Sequence, residues 1–460
     1  MQADMLALVF GRLAAEEPAT LQRAAQTCRL WRHTGRRTIG YCAGRITRCK
    51  ASVEALAYIG PRAETGEAAA ARLARDPAKP LPPPAFRKGK GWAASIAAGC
   101  TDGTAHLWEV ASQRSWGAVP LPPSVWMAGA VYAVAYLPTQ GWVAGGSYDA
   151  SIKLWDLDSR LEVGVLRGHR TWVNALLHLP EADWLASASG DGTVLLHCLA
   201  TRAIVGMIAA GQPESVHCLA LLPERCLLAT SGGDSVVRLW QLPQPGSKAA
   251  VAAETAGVET SEQTGEERWS AATLRPRLAC ELLGHSDTVR ALAAVGGGAG
   301  FAPGPGGGNV VASGARDGTI RLWDTSVRLP PRAAVRTTTC SAAGDELAQP
   351  QQQLACLVPP PSEAKKSVVF ALEWIQSSGL LASGSMDTAV RLWQVTESRR
   401  EHGRTVAVRT SLLRSLCGHT SWVTSLQLLE VRESDGGGVD GGGWLASGSR
   451  DGGIILWSVR

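Results

Sequence analysis

Hydrophobic and polar positions repeat along the chain in a three-part pattern. Short, nearly continuous apolar runs come first: SVEALAYI from Ser52, VYAVAYL from Val131, WVNALLHL from Trp172 and SVHCLALL from Ser215. TVRALAAV from Thr288, SVVFALEW from Ser367 and WVTSLQLL from Trp422 complete the set. Runs this short and this uniformly apolar predict strands buried on both faces. After each comes a strand such as WLASGS, a tight turn that is commonly Asp-Gly, and a further strand such as TIRLW. The last strands close TDGTAHLW, YDASIKLW, GDSVVRLW, RDGTIRLW, MDTAVRLW and RDGGIILW on Trp108, Trp155, Trp240, Trp323, Trp393 and Trp457. In a seventh, GDGTVLLH, His197 holds the Trp place. An Asp stands six residues ahead in all seven: Asp102, Asp149, Asp191, Asp234, Asp317, Asp387 and Asp451.

Self-similarity at this spacing marks a repeat architecture, in which no unit covers its own apolar faces. Gly-His pairs four residues before the inner-strand Val, at Gly168-His169, Gly284-His285 and Gly418-His419, add to the pattern. These residues resemble the WD-repeat (WD40) family. The resemblance implies a mainly β fold, a seven-bladed β-propeller over residues 44–460. It also implies a hydrogen-bonded tetrad of His, strand Ser/Thr, turn Asp and Trp. Two blades carry the whole set, His285, Ser313, Asp317, Trp323 and His419, Ser447, Asp451, Trp457; a third has His169, Ser187 and Asp191 without the Trp. The other four have Cys49, Met127, Gln212 and Lys365 in the His place, so those blades are expected to lack the brace and to be softer. Arg238, Arg321, Arg391 and Lys153, two residues before the Trp, carry no assigned role. The last repeat ends soon after its Trp, and RITRCK (45–50) is expected to supply its missing outer strand and close the ring.

Low-complexity insertions at 60–90, 241–276, 296–308, 325–366, 394–410 and 432–443 are too poor in apolar residues to order themselves and are expected to be flexible loops. All fall between the first and second strands of a repeat or after the Trp strand, two connection types that open on one face. The opposite face keeps only short turns and is the candidate ligand surface. Its rim is expected to present Tyr148, Arg316, Met386 and Arg450 before the turn Asp, with Arg170, Trp172 and Trp422 at the inner-strand entrances. Arginines among aromatics suit an acidic or phosphorylated peptide, because guanidinium binds carboxylate or phosphate with paired hydrogen bonds. Exposed turn arginines and Trp packed between blades are the plainer alternative.

Ahead of the repeats, residues 1–37 place Met5, Leu6, Val9, Phe10 and Leu13 at helical spacing, then Leu21, Ala24, Ala25, Cys28 and Trp31 beyond a break near Pro18. Two or three short helices with one apolar face must dock on something. Asp4, Leu6, Val9, Phe10, Leu13, Leu21, Cys28 and Trp31 resemble the F-box family, although the family's opening Leu-Pro falls on Met1-Gln2 and the Leu13–Cys28 stretch is longer than usual. The resemblance implies that Leu6, Val9, Phe10, Leu13, Leu21 and Trp31 bind a Skp-type adaptor within a cullin complex. A helical pair capping the propeller is the alternative.

Composition narrows the function classes. The 460 residues are 45% hydrophobic and include 51 Gly and 17 Trp, enough apolar material for a large core. No apolar run is long enough for a membrane-spanning helix, and MQADMLALVFGRL has no basic stretch or cleavage site of a signal peptide. Eleven Cys without framework spacing fit a reducing cytoplasm or nucleus. A net charge of +5 is small, and the cluster Arg29, Arg32, Arg36, Arg37, Arg45, Arg48 and Lys50 lacks interleaved aromatics, so neither points to nucleic acid. No metalloprotease, phosphate-loop or nucleophile-elbow motif is present, and no Cys/His pairs show metal-ligand spacing. The expectation is a non-enzymatic protein without cofactor, the substrate-recognition subunit of an SCF-type ubiquitin ligase with a protein or phosphopeptide substrate. The alternatives are a WD40 scaffold outside any ligase and a propeller associated with nucleic acid or histones.

Overall fold

The computed structural model describes residues 41–46, 51–59, 95–109, 115–120, 129–159, 161–209, 214–243, 259–260, 267–268, 274–296, 310–325, 353–358, 367–401, 404–429 and 444–459. The F-box-like segment 1–37, with Leu6, Val9, Phe10, Leu13, Leu21 and Trp31, lies outside them, as do Cys49, Met127, Gln212 and Lys365. Among the described residues the only helical element is a short 3-10 turn, Pro223–Arg225.

Seven four-stranded antiparallel sheets follow one another. Blade 1 is Val53–Ile59, Ser95–Cys100, Thr104–Glu109 and Ser115–Pro120. Blade 2 is Val131–Leu137, Trp142–Ser147, Ile152–Asp156 and Glu162–Leu166. Blade 3 is Val173–Leu179, Trp184–Ser189, Thr193–Cys198 and Ile204–Ala209. Blade 4 is Val216–Leu222, Leu227–Gly232, Val237–Gln241 and Arg277–Leu282. Blade 5 is Val289–Val295, Val310–Ala315, Ile320–Asp324 and Gln353–Leu357. Blade 6 is Val369–Ile375, Leu380–Ser385, Ala389–Glu401 and Arg404–Cys417. Blade 7 is Val423–Leu429, Trp444–Ser449 and Ile454–Ser458, completed by Tyr41–Ile46. Inner strands touch in succession and the seventh touches the first, so the sheets close into a ring.

The core is seven apolar layers, one at every blade junction. Trp184, Ala186 and Ala188 of blade 3 meet Val216 and Leu228 of blade 4. Val53, Leu56 and Ile96 of blade 1 meet Leu429, Ala446 and Leu456 of blade 7 across the closure. Second strands such as Ser95–Cys100, Trp184–Ser189 and Leu380–Ser385 are buried along their whole length. Their Ala, Ser and Gly residues let neighbouring sheets approach, which explains why these strands read as uniformly apolar or small rather than alternating.

The closing strand is Tyr41–Ile46, not the expected 45–50. It pairs antiparallel with Ile454–Ser458, Tyr41 opposite Ser458 and Ile46 opposite Ile454, with a bulge between Cys42 and Gly44. YCAGRI carries one basic residue where RITRCK carries three, and the less charged segment suits a ladder better. The propeller therefore begins ahead of residue 44.

Three of the predicted loops contain regular structure. Segment 394–410 is no loop: it forms the tip of a long hairpin, Ala389–Glu401 against Arg404–Cys417. Val395 is fully buried and Val408 packs on the layer between blades 5 and 6, so alternation within QVTES and TVAVRT anchors the ribbon. Segment 325–366 contains the outer strand of blade 5. Within 241–276 a short hairpin pairs Glu259–Thr260 with Glu267–Arg268, and Leu274 bridges to Gly206 on the outer strand of blade 3. Segment 60–90 lies outside the described residues.

One half-buried acid sits poorly between blades 6 and 7. Glu373 on the inner strand of blade 6 accepts the Leu428 N–H of blade 7 at 2.9 Å, and burial pushes its carboxyl up to about 7. A folded-state value above the unfolded one means the folded protein binds the proton more tightly. Stability from this group is complete below the unfolded value near 4.5 and lost as pH rises through about 7. Glu373→Gln keeps an acceptor for Leu428 and removes the ionisation. The variant is expected to exceed the parent in stability by about 2 kcal/mol at pH 8 and to match it near pH 4.5, read as thermal midpoints across pH.

Candidate functional site

Every inner strand begins with the same irregularity. Register shifts fall between Val53 and Ala55, Val131 and Ala133, Val173 and Ala175, and Val216 and Cys218. They recur between Val289 and Ala291, Val369 and Ala371, and Val423 and Ser425. A bulge leaves one residue outside the ladder and re-aims its side chain. The residues so released are Glu54, Tyr132, Asn174, His217, Arg290, Phe370 and Thr424.

The turn before each Asp is tied to the same end of the ring. Thr101, Tyr148, Gly190, Gly233, Arg316, Met386 and Arg450 each donate their backbone N–H to the carbonyl just before the inner-strand Val, at 2.8–3.0 Å. Two sets of seven positions, the bulges and the turns, therefore share one mouth. Asn174 Nδ2 donates to the Val216 carbonyl at 2.8 Å and Thr424 Oγ1 to that of Val53 at 2.5 Å, stitching adjacent blades there.

Most of the predicted rim residues converge on this mouth. Tyr148, 41% exposed, stacks on Trp172 with centroids 5.6 Å apart and meets Tyr132 at 6.2 Å. Trp422 is stacked on Phe370 at 5.5 Å, and the Arg450 guanidinium lies 4.4 Å from the Trp422 centroid. Arg450 Nε also reaches Glu54 at 3.3 Å. Arg316 stands well exposed, its Nε 4.0 Å from Asp287. Arg170 is exposed and its backbone N–H binds Asp191; Met386 is exposed without an aromatic neighbour in the described contacts.

The bulge residues were missed from sequence, and they supply the electrostatics. Burial holds the Arg290 guanidinium below its ordinary value, and the charges of Arg316 and Arg450 push the same way; its Nε has no hydrogen-bond partner. Burial first, and then Arg290, bring His217 down to about 4, so this imidazole is neutral at physiological pH. Burial raises Glu54 despite Arg450 beside it. The mouth thus sets three arginines beside the partly desolvated Glu54 and the more exposed Asp287, with flat aromatic faces alongside. A signal was present: each apolar run carries a bulky, polar or aromatic residue directly after the Val that opens its strand.

Beneath the rim, the turn Asp residues are held in three ways. In blades 5 and 7 the His Nδ1 lies 3.0 and 3.3 Å from Asp317 and Asp451, and Nε2 lies 2.7 Å from Ser313 and Ser447. Trp323 and Trp457 donate to the same hydroxyls at 2.7 and 2.8 Å. Ser313 and Ser447 have no exposed surface, so a Ser-His-Asp set that resembles a hydrolase triad in composition is closed to any substrate. In blade 3 His169 contacts Asp191 and Ser187, but neither nitrogen of the buried His197 reaches hydrogen-bonding geometry, and burial lowers it to about 4.

Blades 4 and 6 correct the expectation that blades without His are unbraced. Arg238 reaches Asp234 at 2.7 Å and Arg391 reaches Asp387 at 2.6 Å, while Trp240 and Trp393 donate to Thr230 and Ser383. The guanidinium replaces the imidazole from the next strand. Arg321, whose blade has its His, turns instead to Gln353. In blade 2 the hydroxyl position is Gly145, where a Cβ would meet the Trp155 ring at 2.8 Å, so packing takes the place of the hydrogen bond.

Residues 127–156, 161–197, 207–241, 277–324, 360–394 and 410–458 match the family profile described as WD domain, G-beta repeat. The chain is 25% identical over 152 residues to the DENN domain and WD repeat-containing protein SCD1 of Arabidopsis thaliana, covering 33% of this chain and 8% of that protein. It is 33% identical over 84 residues to the ribosome biogenesis protein WDR12 homolog of Chlamydomonas reinhardtii, covering 18% of this chain and 19% of that protein. The chain therefore spans less than a fifth of the length of these curated relatives. A chain in the crystal structure of the mitotic checkpoint complex superposes with a TM-score of 0.53 at 16% identity, over 80% of this chain and 86% of that one, a likeness of fold.

The exchange of His for Arg is open to measurement. Arg391 is 3% exposed, and its removal strands a mostly buried carboxylate. Arg391→Leu is expected to cost about 3 kcal/mol, and Arg321→Leu less than about 1 kcal/mol, in urea unfolding followed by tryptophan fluorescence.

Proposed function

We propose that this chain, which belongs to the WD-repeat (G-beta repeat) family, is a non-catalytic interaction platform that takes an acidic or phosphorylated peptide at the mouth of its ring. WD40 propellers serve as protein–protein scaffolds, and the finer assignment rests on one observation. Arg290, Arg316 and Arg450 share a site with Glu54 and Asp287, with Trp422, Phe370, Tyr148 and Trp172 at its edge. The partly desolvated Arg290, with Arg316 and Arg450 near it, gains from an incoming anion, and a phosphate or carboxylate can take two parallel bonds from an exposed guanidinium such as Arg316. Rigid aromatic faces supply contact area at little entropic cost.

A peptide array carrying phosphoserine sequences beside unphosphorylated twins tests this. The parent is expected to favour phosphorylated or acidic spots and to lose them as salt rises. Arg316→Ser/Arg450→Ser is expected to weaken the retained spots more than about tenfold. Equal binding to both halves of the array, unaffected by the substitutions, overturns the reading.

A second reading concerns what the platform serves. The spacing of Leu6, Val9, Phe10, Leu13, Leu21 and Trp31 in the sequence supports a role as substrate receptor of a Skp–cullin ubiquitin ligase. Catalysis there would be proximity, a bound substrate held near a charged ubiquitin-carrying enzyme. Co-purification with a Skp-type adaptor is expected for the parent and not for a folded Leu6→Ala/Phe10→Ala variant. Absence of adaptor in the parent leaves a scaffold outside any ligase, the reading closer to the relatives, one of which is named for ribosome biogenesis.

A further inference from the structure

Blade 1 departs from its siblings at the turn Asp. Asp102 Oδ1 accepts from the Thr104 N–H at 3.0 Å and the Thr104 hydroxyl at 2.5 Å, the ordinary Asx turn of this repeat. In blades 3 to 7 the second carboxylate oxygen is occupied by His169, Arg238, His285, Arg391 or His419. Asp102 Oδ2 has no such partner among the described residues.

The positions around it are also changed. Cys100 closes the second strand where Ser147, Ser189, Ser385 and Ser449 stand in other blades; those serines accept the turn N–H or bond the neighbouring strand. His106 occupies the place of Arg238 and Arg391, whose side chains reach back to their Asp. Blade 2 also leaves its Asp149 Oδ2 without such a partner among the described residues, but Ser147 and Lys153 flank it there, and neither is a transition-metal donor. Blade 1 alone brings a thiol, a carboxylate and an imidazole to one turn. Their donor atoms all lie within 4.8 Å of one another, the one such group of His, Cys, Asp and Glu among the described residues.

We propose that Cys100, Asp102 and His106 form a binding site for a transition-metal ion of the Zn2+ class, which fastens the turn of blade 1 where other blades use His or Arg. Sulfur, nitrogen and oxygen donors together suit this borderline ion, and three protein ligands leave a fourth tetrahedral position for water. Bonds of about 2.0–2.3 Å set donor atoms about 3.3–3.8 Å apart, so small side-chain rotations close the present spacing. A thiolate and a carboxylate balance the ion's charge. The His106 ring stacks on Trp108 with centroids 5.3 Å apart, which limits its orientations. Cys100 is buried and loses its proton on binding, so the site tightens as pH rises.

The test uses the full chain and Co2+ as probe. The parent is expected to bind one equivalent with the absorption of a tetrahedral thiolate complex, which Zn2+ displaces, and Zn2+ is expected to raise its thermal midpoint. Cys100→Ser and His106→Arg install the residues that sibling blades carry, so both fold. Each is expected to lose the sulfur-to-cobalt band, to bind more than about tenfold more weakly, and to show no Zn2+-dependent midpoint shift. A parent without the sulfur band overturns the proposal. So does a band that persists in either variant, or a Zn2+ shift equal in parent and variants.

Discussion

Everything in this molecule depends on apolar sheets having no face of their own to hide. Each blade buries residues on both sides: Trp184 and its strand mates lie against blade 4, while Leu185 joins the layer against blade 2. A single blade is therefore a sheet with two wet hydrophobic faces, and a partial ring still leaves two. Stability arrives when Val53, Leu56 and Ile96 meet Leu429, Ala446 and Leu456, and when Tyr41–Ile46 covers the edge of Ile454–Ser458. The close approach this needs explains the small residues of the second strands. It also explains why Gly145 can stand where other blades carry a hydroxyl, since the Trp155 ring fills the space.

Polar chemistry is layered onto that apolar frame and is interchangeable between blades. One carboxylate at each turn organises the hairpin through its first oxygen, and in blades 3 to 7 the second oxygen is satisfied by whatever donor is at hand. Imidazole comes from the preceding connection in blades 3, 5 and 7; guanidinium comes from the third strand in blades 4 and 6. The same logic of a repeated slot with variable contents governs the mouth. Seven bulges deliver seven side chains, and because their backbone role is fixed by the ladder, their chemistry is free to differ from Glu54 to Arg290 to Phe370.

Much of this was legible in the chain. The seven Asp turns and the Trp six residues on placed the hairpins, since that pattern is local and each copy checks the others. The rim positions before the Asp followed from the same register. Less legible were features in which two distant segments cooperate. The closing strand was displaced because strand pairing across the whole ring leaves little local trace, and charge in RITRCK argued against that segment only weakly. The arm at 394–410 looked polar because half of an alternating strand faces water, and Val395 and Val408 were too sparse to stand out. Arg238 and Arg391 looked ordinary for this repeat and were given no role, since their roles appear only once the missing His is set beside them. The bulge residues were hidden inside runs defined by being apolar.

Pairing residues 41–46 with 454–458 has a temporal consequence. Contacts between segments this far apart in sequence carry a large loop-closure entropy and lie late on the folding route. A nascent chain leaving the ribosome must hold its first strand unmated through the synthesis of six further blades. During that interval the outer edge of blade 7 does not exist, and the apolar flank of blade 1, with Val53 and Ile96, faces solvent. The ring is thus all-or-nothing in time as well as in space, and its apolar flanks stay vulnerable until residues 454–458 are made.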